Sequence, residues 1–247
     1  MRKAFTRDEL AGMFRAIGNA LDRHVEVFLL GGGAMCFRGQ KPATKDLDLV
    51  FPNHEASRGF AQAIRKLGFS EAKKLEAEYE DMKAEGIWEN KDGFRLDIFV
   101  GKVCGALSLS EGMKRRSVPL ATYGRLSVRL VSDEDVVLFK GITERDGDVG
   151  DVAIILRNEV DWNAILKECV EQSGERWWCG ALHDKLAIVR QRHGISAPIM
   201  RDLLNLDRKV LIRSAYERRR KKGLSHDEAV KDLGKEFKRK EIEDSVA

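Results

Sequence analysis

Residues 25–34 read VEVFLLGGGA, and residues 46–51 read DLDLVF. The first stretch predicts a buried strand that three glycines end abruptly, because β-branched and apolar side chains favour a strand whereas glycine interrupts it. The second stretch predicts another strand, in which Asp46 and Asp48 share one face and the alternating apolar residues share the other. Together they predict a glycine turn next to a pair of carboxylates.

The glycine turn and the carboxylates have matching chemistry. Two carboxylates about 7 Å apart on one strand face suit a hard divalent cation better than they suit each other. A glycine turn between a strand and a helix exposes backbone N–H groups, which attract phosphate. Phosphate donors beside metal ligands are typical of phosphoryl and nucleotidyl transfer.

A third carboxylate, Asp97, lies in the stretch RLDIFV at 95–100. Residues 86–89 and 94–100 flank the polar turn NKDG, which predicts a β-hairpin. Alternation places Asp97 on the face opposite its apolar neighbours. If this strand lies beside the one with Asp46 and Asp48, three carboxylates converge on one spot.

The remaining elements predict an α/β (α+β) protein with two domains. Helices are predicted after Thr6, Asn53 and Ser132, each of which can cap a helix, and residues 123–131 predict one further strand. Beyond Asp161 all predicted elements are helical: one beginning there, one over 180–193, one after Pro198, and one from Ser225 that includes Leu233 and Phe237. This order predicts a small mixed-sheet domain over 1–131 and an α-helical domain over 132–247.

The composition excludes several classes. The 247 residues are 34% charged with a net charge of +4, and no apolar run approaches the roughly 20 residues that cross a bilayer. We therefore expect a cytoplasmic protein without a membrane partner. The four cysteines have no CxxC spacing and are predicted to be buried free thiols. No serine or cysteine stands in a local hydrolase motif.

The glycine turn, the Asp-x-Asp pair and the later Asp97 resemble the DNA polymerase beta-like nucleotidyltransferase superfamily. Within it, the sequence is most similar to the AbiEii-type toxin nucleotidyltransferases and their uncharacterised prokaryotic relatives. Residues 31–34 match the Gly-Gly-x-Ala turn of that branch, and Thr44 stands two residues before the first aspartate, as is usual there. The resemblance spans about residues 25–156.

Further along, Lys140, Arg145, Asp148 and Asp151 echo a lysine, an arginine and an aspartate pair of the same branch. One position departs from the pattern. Relatives often have an arginine four residues before the first aspartate, where this chain has Pro42, and either Lys41 or Arg38 could substitute.

The resemblance implies an enzyme that moves a nucleoside monophosphate from a nucleoside triphosphate, such as ATP, to a hydroxyl. It implies that Asp46, Asp48 and Asp97 are catalytic and hold Mg²⁺, with Mn²⁺ as a substitute. Gly31, Gly32, Gly33, Thr44, Lys140 and Arg145 would contact the nucleotide. The implied acceptor is RNA, a protein or a small molecule, and an antitoxin-like protein is a further implied partner in a toxin-antitoxin pair.

Other interpretations stay open. Lys140 and Arg145 could equally belong to a surface helix with ion pairs, and Asp148 and Asp151 could cap a helix. The protein could bind nucleotides without turnover. The basic run at 218–222 could end a solvated helix, or it could make nucleic-acid binding the main function.

Overall fold

The computed structural model describes residues 3–72, 84–173 and 178–246. The chain divides into two compact units, Met1–Lys140 and Gly141–Ala247. The first unit is a mixed α/β structure and the second is helical. The predicted fold class, a mixed-sheet domain followed by a helical one, is therefore confirmed.

Within its described residues, the first unit contains short and long strands and five helices. Its strands are β1 (Phe5–Thr6), β2 (Val25–Leu30), β3 (Ala43–Thr44), β4 (Leu47–Phe51), β5 (Ser70–Glu71), β6 (Gly86–Glu89), β7 (Arg95–Val100), β8 (Lys102–Val103), β9 (Leu107–Ser108), β10 (Val118–Tyr123) and β11 (Leu126–Leu130). Its helices are α1 (Arg7–Ala20), α2 (Gly31–Phe37), α3 (His54–Lys66), α4 (Glu111–Arg116) and α5 (Asp133–Gly141).

The main sheet runs in the order β10-β11-β2-β4-β7-β6-β5. Strand β4, which follows Asp46, lies at its centre, antiparallel to β2 and parallel to β7. The predicted hairpin is confirmed, since β6 and β7 pair antiparallel and Gly93 adopts a positive φ of 83° in the turn. Strands β1 and β3 form a separate two-stranded sheet.

The helices begin where the sequence places capping residues. The Glu9 side chain accepts a hydrogen bond from the Thr6 backbone before α1, and the Asn53 side chain accepts one from Ala56 N at 2.9 Å before α3. Helix α3 packs on β2, β4 and β7, and the rings of Phe51 and Phe60 lie 4.9 Å apart. One face of the central strands is thereby closed by α3.

The single strand predicted over 123–131 is wrong in its extent. The structure has a hairpin there, with β10 ending at Tyr123 and β11 beginning at Leu126. Gly124 reverses the chain with a φ of 59°. Strand β10 is a largely exposed edge strand that includes Pro119, so it lacks the apolar alternation that reveals a strand.

The second unit is built from helices around its own cores. Its helices are α6 (Gly147–Ile155), α7 (Trp162–Ser173), α8 (Trp178–His193), α9 (Met200–Lys221), α10 (His226–Leu233) and α11 (Arg239–Val246). Ile212, Ala215, Leu233 and Ile242 form one apolar cluster. Phe237 packs against this cluster from a turn, so the predicted helix that includes both Leu233 and Phe237 is two helices, α10 and α11.

The boundary between the two units lies after Lys140, whereas the sequence predicted a boundary near residue 131. Helix α5 accounts for the difference because ion pairs tie its first turns to the first unit. Asp135 accepts hydrogen bonds from Arg116, and Asp133 lies 3.3 Å from Arg38 Nε. Among the described residues, no helix is long and apolar enough to span a membrane.

Two glycines on α1 provide a test of its packing against the β10–β11 hairpin. A Cβ at Gly18 would lie 1.6 Å from the Tyr123 carbonyl oxygen, whereas a Cβ at the exposed Gly12 would meet no atom within 4 Å. We expect Gly18→Ala to lower the free energy of unfolding by about 1–3 kcal/mol or more, because backbone must move. Gly12→Ala should raise it by about 0.5–1 kcal/mol through helix propensity. Urea denaturation measures both, and equal effects would contradict the packing of α1.

Candidate active site

The predicted carboxylates lie on the face of the sheet opposite α3. Since Phe51 packs on α3 and side chains alternate along a strand, Asp48 points to the other face. Asp97 pairs with Asp48 in the parallel register of β4 and β7, so both side chains lie on the same face of adjacent strands. Asp46 directly precedes β4 and is half-buried. The predicted juxtaposition of the two strands is therefore present.

The glycine turn approaches Asp48 so closely that a side chain would collide with it. Gly31 begins α2 with a φ of 61°, a left-handed conformation that favours glycine. A Cβ on Gly31 would lie 2.1 Å from Asp48 Oδ2. The first glycine is thus required both by the backbone and by the position of the carboxylate.

The second and third glycines meet other parts of the same site. A Cβ on Gly32 would lie 2.6 Å from Thr44 Oγ1, and one on Gly33 would lie 2.7 Å from Leu47 Cδ2. Thr44 is buried, pairs with Phe5 of β1, and donates its hydroxyl to the Asp46 carbonyl at 3.2 Å. Thr44 therefore links the glycine turn to the backbone that presents Asp46.

Asp97 is engaged in a buried ion pair with Arg95. Arg95 Nε donates to Asp97 Oδ1 at 2.7 Å and Nη2 donates to Oδ2 at 3.4 Å. The Arg95 and Asp97 side chains are 5% and 1% exposed. Such a pair fixes the orientation of the carboxylate, since a charged hydrogen bond in a dry site is strong.

The donor chemistry of Asp46 and Asp48 fits a hard divalent cation, while the Asp48 carboxylate itself occupies the space that a Cβ at Gly31 would need. Within residues 3–72, 84–173 and 178–246, however, no group of three or more His, Cys, Asp or Glu side chains is arranged to hold a metal ion. Asp97 faces Arg95 instead. Joint metal binding by all three aspartates therefore stays a prediction.

Arg38 has a structural role. Its guanidinium donates to the Val131 carbonyl and pairs with Asp133 at the start of α5. Burial lowers the pKa of Arg38 from its usual value, and the nearby Asp133 opposes that effect. Arg38 thus joins the end of α2 to α5, which leaves Lys41 as the basic side chain next to Pro42.

Lys140 and Arg145 lie in different units. Lys140 is buried near the end of α5 in the first unit. In the second unit, Arg145 Nε donates to Asp148 at 3.0 Å, as the ion-pair interpretation predicted. Asp148 also accepts the Thr143 hydroxyl at 2.6 Å, and both Asp148 and Asp151 are buried in α6. Nucleotide contact by Lys140 and Arg145 stays a prediction.

The basic run near the end of α9 is partly neutralised within the second unit. Arg219 donates to Asp232 at 2.8 Å and to Glu236 at 2.6 Å, while Arg220 donates to the Leu224 carbonyl. These bonds join α9 to α10 and to the turn after it. The solvated helix end that the sequence indicated accounts for these two arginines.

Sequence reasoning missed Arg95. The signal was available, because Arg95 and Asp97 are two residues apart on a strand and therefore share a face. The three-aspartate pattern by itself does not indicate a basic partner for Asp97.

Comparisons with known proteins add little. No family model and no curated protein matches this chain. Among solved structures, the chain is similar to a candidate nucleotidyltransferase from H. pylori, at 13% identity and a TM-score of 0.37, over 81% of this chain and 92% of that one. This likeness is too slight to assign an activity.

The contact between Gly31 and Asp48 can be tested with a matched pair of glycines. Gly31 and Gly39 both have positive φ, but a Cβ at Gly39 would meet no atom within 4 Å. We expect Gly39→Ala to lower the free energy of unfolding by about 1–2 kcal/mol through backbone strain alone. Gly31→Ala should lower it further because it also displaces Asp48. Equal losses in urea denaturation would contradict the close approach.

The Arg95–Asp97 pair predicts strongly coupled substitutions. Arg95→Met should lower the free energy of unfolding by about 3–5 kcal/mol, since it leaves a buried carboxylate without this partner. Asp97→Asn in the Arg95→Met background should cost much less than Asp97→Asn alone. A double-mutant cycle by urea denaturation measures the coupling, and additive losses would contradict the ion pair.

Proposed function

We propose that this protein is a Mg²⁺-dependent nucleotidyltransferase that moves a nucleoside monophosphate from a nucleoside triphosphate to a hydroxyl acceptor. The single observation that supports it best is the approach of Asp48 to the glycine turn. The Asp48 carboxylate lies against Gly31 and next to Asp97 in register. Carboxylates on adjacent strands beside a glycine turn form a site that suits a polyphosphate and a cation.

Different residues of the first unit would bind the phosphates and position Asp46. Backbone N–H groups of Gly31, Gly32 and Gly33, at the start of α2, would donate hydrogen bonds to phosphate oxygens. Thr44 would hold the backbone at Asp46 in place through its bond to that carbonyl. Catalysis would then rest on positioning and electrostatics, without a covalent intermediate on the protein.

Asp46 and Asp48 would hold Mg²⁺, or Mn²⁺ in its place, through their carboxylate oxygens. The bound cation would supply charge neutralisation at the triphosphate and a more acidic acceptor hydroxyl. This assignment rests on the donor chemistry of the two side chains.

Asp97 would receive the acceptor hydroxyl, and Arg95 would be its positioning residue. Arg95 keeps one short hydrogen bond to Oδ1 and one long contact to Oδ2. A carboxylate has about four acceptor sites, so the pair with Arg95 would not by itself prevent Asp97 from accepting a hydrogen bond from the acceptor hydroxyl. The guanidinium would stabilise the charge of the carboxylate.

The buried Arg95–Asp97 pair also favours a second candidate, a nucleotide-binding protein without turnover. In that case the guanidinium keeps Asp97 neutralised and out of reach of a cation, while Asp46, Asp48 and the glycine turn still bind a nucleotide with its cation. The two candidates differ in whether label is transferred, and they agree in nucleotide binding.

The acceptor class and the biological role come from the resemblance alone. Transfer to an RNA end, to a protein side chain or to a small molecule stays a prediction. The same holds for a toxin-antitoxin role with an antitoxin-like partner, and for Lys140 and Arg145 as triphosphate contacts.

The decisive experiment compares the full chain with an Asp46→Asn, Asp48→Asn variant. Each protein is incubated with Mg²⁺, one labelled triphosphate at a time, and a mixture of total RNA and cell protein. We expect transfer to fall by about 100-fold or more, because even an outer partner of a metal ligand is worth about 10–100-fold. Mn²⁺ binding, followed by electron paramagnetic resonance, should fall in parallel.

Asp22→Asn is the matched control. It replaces an aspartate with asparagine in the same way, but at an exposed salt bridge to Lys66. It should leave transfer and Mn²⁺ binding unchanged. Triphosphate binding without transfer by wild type would favour the second candidate. Mn²⁺ binding that survives loss of both aspartates would contradict the site itself.

A further inference from the structure

The second unit contains two cysteines in direct contact, a feature that nucleotide chemistry does not use. Cys169 on α7 and Cys179 on α8 are 0% and 5% exposed. Their sulfur atoms lie 3.7 Å apart, and both thiols are free. A disulfide joins its sulfurs at about 2.0 Å, so the side chains need to approach by less than about 2 Å.

The polar surroundings of the pair make its two thiols unequal. Cys169 donates an S–H hydrogen bond to Cys179, which lowers the pKa of Cys179 and raises that of Cys169. Ser173 Oγ lies 3.5 Å from Cys179 Sγ and donates to the Cys169 carbonyl at 2.7 Å. One sulfur is thereby prepared to react first, with the other beside it as the resolving thiol.

We propose that Cys169 and Cys179 form a reversible disulfide between α7 and α8 when the protein meets a peroxide. This pair is a modification site that involves none of the residues assigned to the proposed nucleotidyl transfer, and both cysteines lie on helices of the second unit. Transient disulfides of this kind are typical of redox sensing in a reducing compartment.

The reaction balances with hydrogen peroxide as the oxidant. The Cys179 thiolate attacks one peroxide oxygen, the O–O bond breaks, and the departing hydroxide takes a proton to become water. The Cys169 thiolate then attacks the Cys179 sulfenic sulfur, the S–S bond forms, and the S–O bond breaks. The second hydroxide takes the proton that Cys169 released. Two thiols are oxidised to one disulfide, and the peroxide is reduced to two waters.

The other cysteines serve as internal controls. Cys36 is buried in α2, where desolvation raises the pKa of its thiol, and Cys104 is half-buried. Both lie in the first unit, whereas Cys169 and Cys179 lie in the second. The proposal therefore predicts a product that involves Cys169 and Cys179 and leaves the other two thiols reduced.

The test uses the full chain treated with hydrogen peroxide, quenched, then denatured in N-ethylmaleimide. We expect the number of labelled cysteines to fall from the four in the sequence to two. Trypsin cuts after Lys167, Arg176 and Lys185, so without reduction the peptides 168–176 and 177–185 should migrate as one disulfide-linked species. Dithiothreitol should separate them and restore four labels.

A Cys169→Ser variant should leave a sulfenic acid at Cys179 that dimedone traps, and Cys36→Ser should not alter the linked species. The wild-type map decides the proposal even if a variant fails to fold. Peptides 168–176 and 177–185 recovered separately and fully labelled after peroxide would overturn it. A disulfide that includes Cys36 or Cys104 would overturn it as well.

Discussion

The candidate site depends first on the contact between the Asp48 carboxylate and the backbone of Gly31. The left-handed φ of Gly31 and the 2.1 Å that would separate its Cβ from Asp48 leave glycine as the residue that fits. Because β2 ends at Leu30 and α2 begins at Gly31, this contact lies where the helix leaves the sheet. The position of Thr44 against Gly32, and through Thr44 the backbone at Asp46, follows from it.

The negative charge of the buried Asp97 carboxylate is balanced by a second buried group, the Arg95 guanidinium. A carboxylate that is 1% exposed is expensive without a counterion, and Arg95 supplies one from the same strand. The pair orients Asp97 and also sets a limit, since a cation that reaches Asp97 competes with a guanidinium already bound. Asp48 therefore lies in register beside a carboxylate that is held by arginine.

The second unit has an independent chemistry. It has its own apolar cluster around Ile212 and Leu233, its own ion pairs around Arg219, and a pair of contacting thiols on α7 and α8. None of these features depends on a nucleotide. The proposed redox chemistry at the thiols and the proposed phosphate chemistry at the glycine turn involve different residues of the chain.

The sequence by itself determined the elements that have a local cause. These causes act over a few residues. They predicted the strands at DLDLVF and RLDIFV, the glycine turn, the NKDG hairpin and the helix caps at Thr6 and Asn53, and each of these elements is present. Alternation also placed Arg95 and Asp97 on one face, although it did not say that they bind each other. The sequence did not indicate the extent of the β10–β11 hairpin, because an exposed edge strand has no buried face and so no apolar alternation.

Only the tertiary structure decided what depends on partners distant in the chain. The parallel register of β4 and β7 sets Asp48 beside Asp97. The Gly31 backbone approaches Asp48 too closely for a side chain, and Arg38 and Arg116 attach α5 to the first unit. Each of these contacts joins residues far apart in sequence. So does the contact of Cys169 with Cys179 across two helices. Side-chain pairing of this kind is a property of packing, which no local periodicity encodes.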